Sequence, residues 1–276
     1  MRISEYKYIK GTELRDGYFA IPELHRTRPS VAQFKKLADL NIVLDKPTAF
    51  IYVDGFTFSQ SDHGLAPSMT SVKIPQIKTG VSYITHEWVY SFEGKEHLSH
   101  VSMVASTCAA GIEALHKANY LLESGTVDEV IVIGGQRTTG DTLKLFSELR
   151  IPVTCGDGFV YMKLTKGEGV SDIQWKFTYQ NNPFFFPQKV LDTLIPGYPV
   201  DFVKLHGTGT NSNAEAEAGL AKIATPITYK QDIGHTQGIS PLIETCMVLD
   251  DPKVTGKILV TANGLGGYYG AFLLEK

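Results

Sequence analysis

Residues 101–135 read VSMVASTCAAGIEALHKANYLLESGTVDEVIVIGG, and this stretch decides the architecture. Residues 101–105 form a short apolar run that ends in Ser106-Thr107-Cys108. Ile112, Leu115, Ala118, Tyr120, Leu121 and Leu122 then fall near helical spacing, and Gly125 is a good stop. Residues 129–133 (EVIVI) are a strand run into Gly134-Gly135. Strand, helix and strand in that order predict a parallel α/β sheet.

The second half repeats the grammar. Residues 200–205 are a strand run into His206-Gly207-Thr208-Gly209-Thr210. Residues 214–223 read as a helix, and residues 239–249 as another, after the Gly234-His235 loop. Residues 257–262 are a strand into Asn263-Gly264-Leu265-Gly266-Gly267, and residues 268–274 a closing strand. Open parallel sheets place their sites at the carboxyl ends of the strands, where these loops lie. The first hundred residues are less periodic. Residues 31–40 read as a helix, Thr48–Val53 as a buried strand before the polar loop FSQSDHG, and residues 81–84 and 88–92 as short strands.

At 276 residues the chain is one large domain or two halves sharing a core. Hydrophobic residues are 43% and charged residues 20%, which excludes a disordered chain. No apolar run approaches the ~18 residues of a spanning helix. The start, MRISEYKYIKG, has no apolar core, so no secretory signal is expected. A net charge of -3 gives no electrostatic case for nucleic acid or an anionic membrane. The cysteines, Cys108, Cys155 and Cys246, are too few for a disulfide framework, and no CxxC or zinc-ligand array is present. A reducing cytoplasm is the default location.

Cys108 lies where a strand ends and a long helix begins. Unpaired N–H groups at a helix start stabilise a thiolate, the nucleophilic form. Ala109, Ala110 and Gly111 leave room for a substrate. The competing reading is a buried inert cysteine, which is common. Cys155 and Cys246 lack such a setting and read as inert. Of the eight histidines, His206 and His235 sit in glycine-containing loops next to sheet elements. Each alone reads as a loop-capping histidine. His63 lies in a generic polar loop, and the remaining five read as surface or core residues. Lys230 lies five residues before His235 and alone reads as a solvated charge. The glycines of residues 264–270 fail the GxGxxG spacing, residues 134–140 lack the lysine of a P-loop, and no GxSxG elbow is present.

Taken together, these segments resemble the β-ketoacyl-acyl-carrier-protein synthases (ketosynthases) of the thiolase superfamily. Thr107-Cys108-Ala109-Ala110-Gly111 is similar to the family's nucleophile loop. Gly156-Asp157-Gly158-Phe159-Val160 is similar to its Asp-Gly-Phe-Val turn. His206-Gly207-Thr208-Gly209-Thr210, with Glu217 downstream, resembles its first histidine motif, and Lys230-Gln231-Asp232-Ile233-Gly234-His235 its second. Asn263-Gly264-Leu265-Gly266-Gly267 resembles its C-terminal glycine turn, with Asn263 and Leu265 where the family usually holds gating phenylalanines. Ala214 stands where the family has an aspartate. The order holds from about Val101 to the end; the first hundred residues match only vaguely.

The resemblance implies a thiolase-like, five-layered αβαβα fold of the α/β class built from two similar halves, residues 1–165 with the nucleophile and residues 166–276 with the histidine motifs. It implies catalytic Cys108, His206, His235 and Lys230. It implies an oxyanion hole from the N–H of Cys108 and one near Leu265 or Gly266, and substrate binding at Thr208 and Thr210. The implied reaction is acyl transfer to Cys108, then decarboxylative Claisen condensation with malonyl-acyl carrier protein, in fatty-acid or polyketide-type biosynthesis, with no cofactor or metal. Two alternatives stay open: an acyltransferase acting on a non-malonyl acceptor, and a chain-length-factor-like partner of another ketosynthase. The implied partners are acyl carrier protein, through a local basic patch at Lys35-Lys36, Arg26 and Arg28, or Lys144 and Arg150, and a second chain in a homodimer or heterodimer paired near residues 101–106. The spacing from Cys108 to His206 is short for the family, so cap and pocket elements between Gly135 and Asp157, and between Thr165 and Phe202, are expected to be reduced. Phe184-Phe185-Phe186 reads as core, or as an acyl-pocket wall or partner surface.

Overall fold

In the computed structural model, residues 1–24, 30–54, 83–138, 140–148, 152–177, 199–264 and 267–276 are described. The strands in chain order are β1 (Arg2–Lys10), β2 (Glu13–Arg15), β3 (Tyr18–Ala20), β4 (Thr48–Val53), β5 (Leu98–Val104), β6 (Glu129–Gln136), β7 (Gly158–Thr165), β8 (Val170–Phe177), β9 (Phe202–Lys204), β10 (Thr225–Ile227), β11 (Lys257–Gly264) and β12 (Tyr268–Glu275). The α-helices among the described residues are α1 (Val31–Leu37), α2 (Tyr83–Ser91), α3 (Ala110–Glu123), α4 (Gly140–Glu148), α5 (Asn211–Glu217), α6 (Lys230–Ile233) and α7 (Ser240–Asp250).

Two five-stranded sheets carry the same topology. One runs β1-β7-β6-β4-β5, the other β8-β12-β11-β9-β10. In the first, β4 is parallel to β5 and β6, while β7 and β1 run antiparallel. In the second, β9 is parallel to β10 and β11, while β12 and β8 run antiparallel. The expectation of a parallel sheet therefore holds for three strands of each sheet only. A long connection that carries α4, from β6 to β7, and a short reversal from β11 to β12 add the antiparallel pair, which a strand–helix–strand reading does not see.

Side-chain alternation on each strand sorts the core into layers. Ala49, Ile51 and Val53 of β4 face α3 and α7, together with Ile258, Val260 and Ala262 of β11. Phe50 and Tyr52 face the opposite way, against Phe34 of α1 and Trp88 of α2. On the second sheet, Val203, Leu259 and Tyr269 face outward to Leu220. The result is helix, sheet, helix, sheet, helix. Of the two central helices, α7 is buried without a break at residues 240–248, while α3 buries one stripe and keeps His116, Tyr120 and Glu123 exposed. Gly111 lets α3 close on α7, because a Cβ there would sit 2.8 Å from both Leu242 and Pro241.

Four sequence expectations shift. Residues 88–92 are not a strand: Trp88 lies in α2, with Phe92 just past its end. Trp88 and Phe92 are one helical turn apart and both buried, while Tyr90 between them is exposed. Residues 83–84 likewise begin α2, and 81–82 lie outside the described residues. The helix expected at 214–223 is α5, which stops at Glu217, followed by a 3-10 turn at Leu220–Lys222; Gly219 between them disfavours continuation. The helix at 31–40 ends at Leu37 and turns through Asp39 at φ 50. The FSQSDHG loop, His25, Arg26, Arg28, Arg150 and Phe184-Phe185-Phe186 lie outside the described residues. Among the described residues no helix is long and apolar enough to cross a membrane.

Candidate active site

The loop after β5 turns into α3 through a 3-10 turn at Thr107–Ala109, with Thr107 at φ 51. The loop before α7 turns in the same way at Gln237–Ile239, with Gln237 at φ 49. The two elbows lie against one another between the sheets. The first presents Cys108, and the residues just before the second present His235.

His235 is held by backbone pairing with the Gly156-Asp157 turn. Its N–H donates to Thr154 O at 2.7 Å, and Gly156 N–H donates to its carbonyl at 3.2 Å. Both glycines are required by contact. A Cβ on Gly156 would sit 2.0 Å from Ile233 O, and one on Gly234, at φ +72, would sit 2.3 Å from Cys155 O. Asp157 ties the turn down by accepting from the N–H groups of Ile21, at 3.2 Å, and Thr138, at 2.7 Å.

The ring of His235 bridges two side chains. Nε2 is 3.1 Å from Cys108 Sγ, and Nδ1 is 3.0 Å from Ser240 Oγ. Ser240 in turn lies 3.0 Å from Thr236 Oγ1. A proton leaving the thiol thus has an acceptor whose far side is already paired. The ring of His206 stands at 88° to that of His235, with centroids 5.3 Å apart. His206 follows β9, and its loop is fixed by Glu217, whose carboxylate accepts from His206 N–H and, at 2.9 Å, from Gly207 N–H. Among the described residues His206 Nδ1 is buried without a hydrogen-bond partner.

Lys230 is buried, and its Nζ donates to His206 O and, at 2.6 Å, to Glu244 Oε1. Lys204 Nζ pairs with the other oxygen of the same carboxylate. Burial, then the like charges of the lysines, hold both histidines well below their usual pKa, so both are neutral near pH 7. Thr208 and Thr210 have hydroxyls 3.1 Å apart, and Thr208 donates its N–H to Asn213 Oδ1 at 2.9 Å. Leu265 and Gly266 lie outside the described residues, but Gly264 before them packs on the nucleophile elbow. A Cβ there would sit 2.2 Å from Thr107 Oγ1.

The ligand atoms of Cys108, His206 and His235 all lie within 4.8 Å of one another. A thiolate and two imidazoles are a donor set that suits zinc. The two buried ammonium groups beside them oppose a divalent cation.

Cys155 and Cys246 are fully buried, and burial pushes both thiols up, Cys155 to about 12. His97 and His116 are exposed and His100 half-buried. Of the basic residues singled out for a carrier surface, Lys35 donates to Ser91 O at 3.0 Å, Lys36 is exposed, and Lys144 lies 3.8 Å from Glu148. Sequence reasoning missed Lys204, Glu244, Ser240 and Phe146. The first two carry a signal, since each is a charge inside an otherwise apolar run. Phe146 comes from α4, inside the segment expected to be reduced, and its ring lies 6.3 Å from that of His235 at 63°.

No protein-family model matches the sequence, and no curated protein matches it. Solved structures do. The ketosynthase from module 6 of the bacillaene synthase of Bacillus subtilis 168 aligns with a TM-score of 0.64 at 13% identity, over 86% of this chain and 54% of that one. A β-ketoacyl synthase from Burkholderia phymatum STM815 aligns with a TM-score of 0.62 at 14% identity, over 83% and 75%. A type II polyketide synthase ketosynthase, in complex with its acyl-carrier protein and bound to the hexaketide, gives a TM-score of 0.62 at 13% identity, over 83% and 78%. The chain has the mixed α/β fold with two five-stranded sheets that these ketosynthase structures share. It spans about half the length of the bacillaene ketosynthase.

Proposed function

We propose that this protein is a condensing acyltransferase of the ketosynthase type, with residues 1–165 and 166–276 as its two halves. The observation that carries this reading is Cys108 Sγ at 3.1 Å from His235 Nε2, with the His206 ring perpendicular to that of His235. The Cys108 thiolate attacks the carbonyl of an acyl thioester. A carbon–sulfur bond to Cys108 forms, the bond to the carrier thiol breaks, and that thiol leaves with a proton. Charge on the carbonyl oxygen is met by the N–H of Cys108 and one from Leu265 or Gly266.

A malonyl thioester then binds. Its terminal carboxylate leaves as carbon dioxide, and the bonding electrons pass into an enolate whose oxygen accepts hydrogen bonds from the neutral His206 and His235. The enolate carbon attacks the acyl-Cys108 carbonyl, and the thiolate leaves. Lys230 holds His206 in place, while Thr208 and Thr210 bind substrate at the loop. No step draws on a cofactor. The setting is fatty-acid or polyketide-type biosynthesis in the cytoplasm, with acyl carrier protein as donor and acceptor. A second chain pairs along β5, an edge strand with Val101 exposed.

Intact mass after incubation with acyl- and malonyl-carrier proteins tests the reading. Expected are an acyl adduct on Cys108, none on Cys108→Ala, and carbon dioxide release with a β-ketoacyl product. An adduct passed on without carbon dioxide would mean acyl transfer to another acceptor. A Cys108→Ala chain that labels normally would overturn the assignment.

A further inference from the structure

Lys204 is fully buried on β9, and no step of the proposed reaction uses it. Its Nζ meets Glu244 Oε2, while Lys230 Nζ meets Oε1 of the same carboxylate and the carbonyl of His206. We propose that Lys204 is a positioning residue for the histidine pair: it holds the far oxygen of Glu244, so that Lys230 stays on the His206 carbonyl, and it keeps a second positive charge beside both imidazoles.

Two physical points favour this over a plain structural ion pair. Burying ions is costly, and replacing a buried ion cluster with apolar side chains is often neutral or stabilising. Lys204 faces the central layer and lies in register with the buried Val260 of β11, a setting where a methionine would pack at less cost. Second, one carboxylate needs only one partner to be neutralised, and Lys230 already supplies it. The second cation also faces the Glu217 carboxylate; burial lowers the pKa of Lys204, and Glu244 and Glu217 act to raise it. Charged and titratable groups face this point from every packed element: Lys230 from α6, Glu244 from α7, Glu217 from α5, and Cys108, His206 and His235 from the site. Both lysines act on both imidazoles in the same direction, adding to burial.

The test is the pH dependence of Cys108 alkylation by iodoacetamide, read by intact mass, in the full chain and in Lys204→Met and Lys204→Arg. Removing a positive charge favours the protonated forms of the thiol and of the imidazole beside it. The alkylation midpoint of Lys204→Met should therefore rise by about one pH unit, and that of Lys204→Arg should stay put. A Lys204→Met midpoint unchanged from the parent, with stability equal or higher, would overturn the proposal. Lys204→Gln carries the same prediction if the methionine variant does not fold. If both neutral variants are insoluble while Lys204→Arg folds, Lys204 serves folding, and the proposal is likewise overturned. The idea rests on Cys108 and the two histidines forming the reactive set. Alkylation needs no acyl substrate, so a parent chain that alkylates but neither accepts acyl groups nor releases carbon dioxide would sink the condensing reading separately.

Discussion

Cys108 and His235 come from opposite halves of the chain, yet Sγ and Nε2 lie 3.1 Å apart. Two elbows of the same build produce this contact, one at Thr107 and one at Gln237, each with a positive φ at the first residue of a 3-10 turn. The central helices α3 and α7 start from these elbows and are buried against each other. The distance is therefore set by the packing of two sheets and two helices, not by a flexible loop.

Ser240 should tune this contact. Its hydroxyl is the partner of His235 Nδ1, and it fixes which ring nitrogen faces the thiol. Ser240→Ala removes one hydrogen bond and leaves a buried ring nitrogen unpaired. About 1 kcal/mol is at stake, or roughly a fivefold slower alkylation of Cys108. An unchanged rate in a folded variant would mean that Thr236 or packing alone holds the ring.

The two histidines make stability pH-dependent with a definite sign. Both are held well below the usual 6.5 by burial first and the lysines second. The unfolded chain therefore binds more protons than the folded one as pH falls below that value. Their stabilisation is complete above the unfolded pKa and is lost progressively as pH drops toward the folded values, at up to about 1.4 kcal/mol per pH unit for each proton. Burial raises the Glu217 carboxyl from 4.5, which acts with the opposite sign as pH rises through its folded value. Urea midpoints from about pH 8 to about pH 5 should fall in the parent chain and fall less steeply in His206→Gln. Parallel curves would show that His206 titrates normally.

Glu217 holds the His206 loop by a different device. Its carboxylate takes the N–H groups of both His206 and Gly207, and Gly207 sits at φ +61 with a Cβ position 2.7 Å from Thr228 Cγ2. Glu217→Ala strands two buried or half-buried donors. At about 1–3 kcal/mol for each buried orphan, the variant should lose about 2 kcal/mol or more by urea denaturation. Glu217→Gln keeps one acceptor and should lose less. Equal losses in the two variants would point to packing volume as the cause.

Much of the frame was legible in the sequence, for reasons that individual residues make plain. Thr48–Val53 and α3 read correctly because their apolar positions are buried on both faces or on one helical stripe. Glycines at 156, 234 and 264 marked the site loops, since each sits where a Cβ would strike backbone or the elbow. β1 stayed hidden because it is an edge strand with only a few half-buried positions, such as Tyr6, Tyr8 and Ile9. α2 was mistaken for strands because Trp88 and Phe92 carry its packing while Tyr90 points outward. Lys204 and Glu244 each stand out as a charge in an apolar run, but their meeting with Lys230 was illegible because the three come from β9, α7 and α6 and converge only in the folded layer.

Gly264 gives the sharpest test of the elbow. A Cβ there would lie 2.2 Å from Thr107 Oγ1 and 2.8 Å from Ser106 O, and the second contact is backbone that cannot move aside. Gly264→Ala must push the 106–108 segment, and with it Cys108, away from His235. The cost should be about 1–3 kcal/mol of overpacking, with a larger loss in Cys108 alkylation than stability alone explains. Gly125→Ala is the matched control. Gly125 sits at φ +70 after α3 with nothing within 4 Å of its Cβ position, so it should cost about 1 kcal/mol through backbone strain and leave alkylation unchanged. If both variants keep the parent's alkylation rate, the contact between the glycine turn and the nucleophile elbow does not set the position of Cys108.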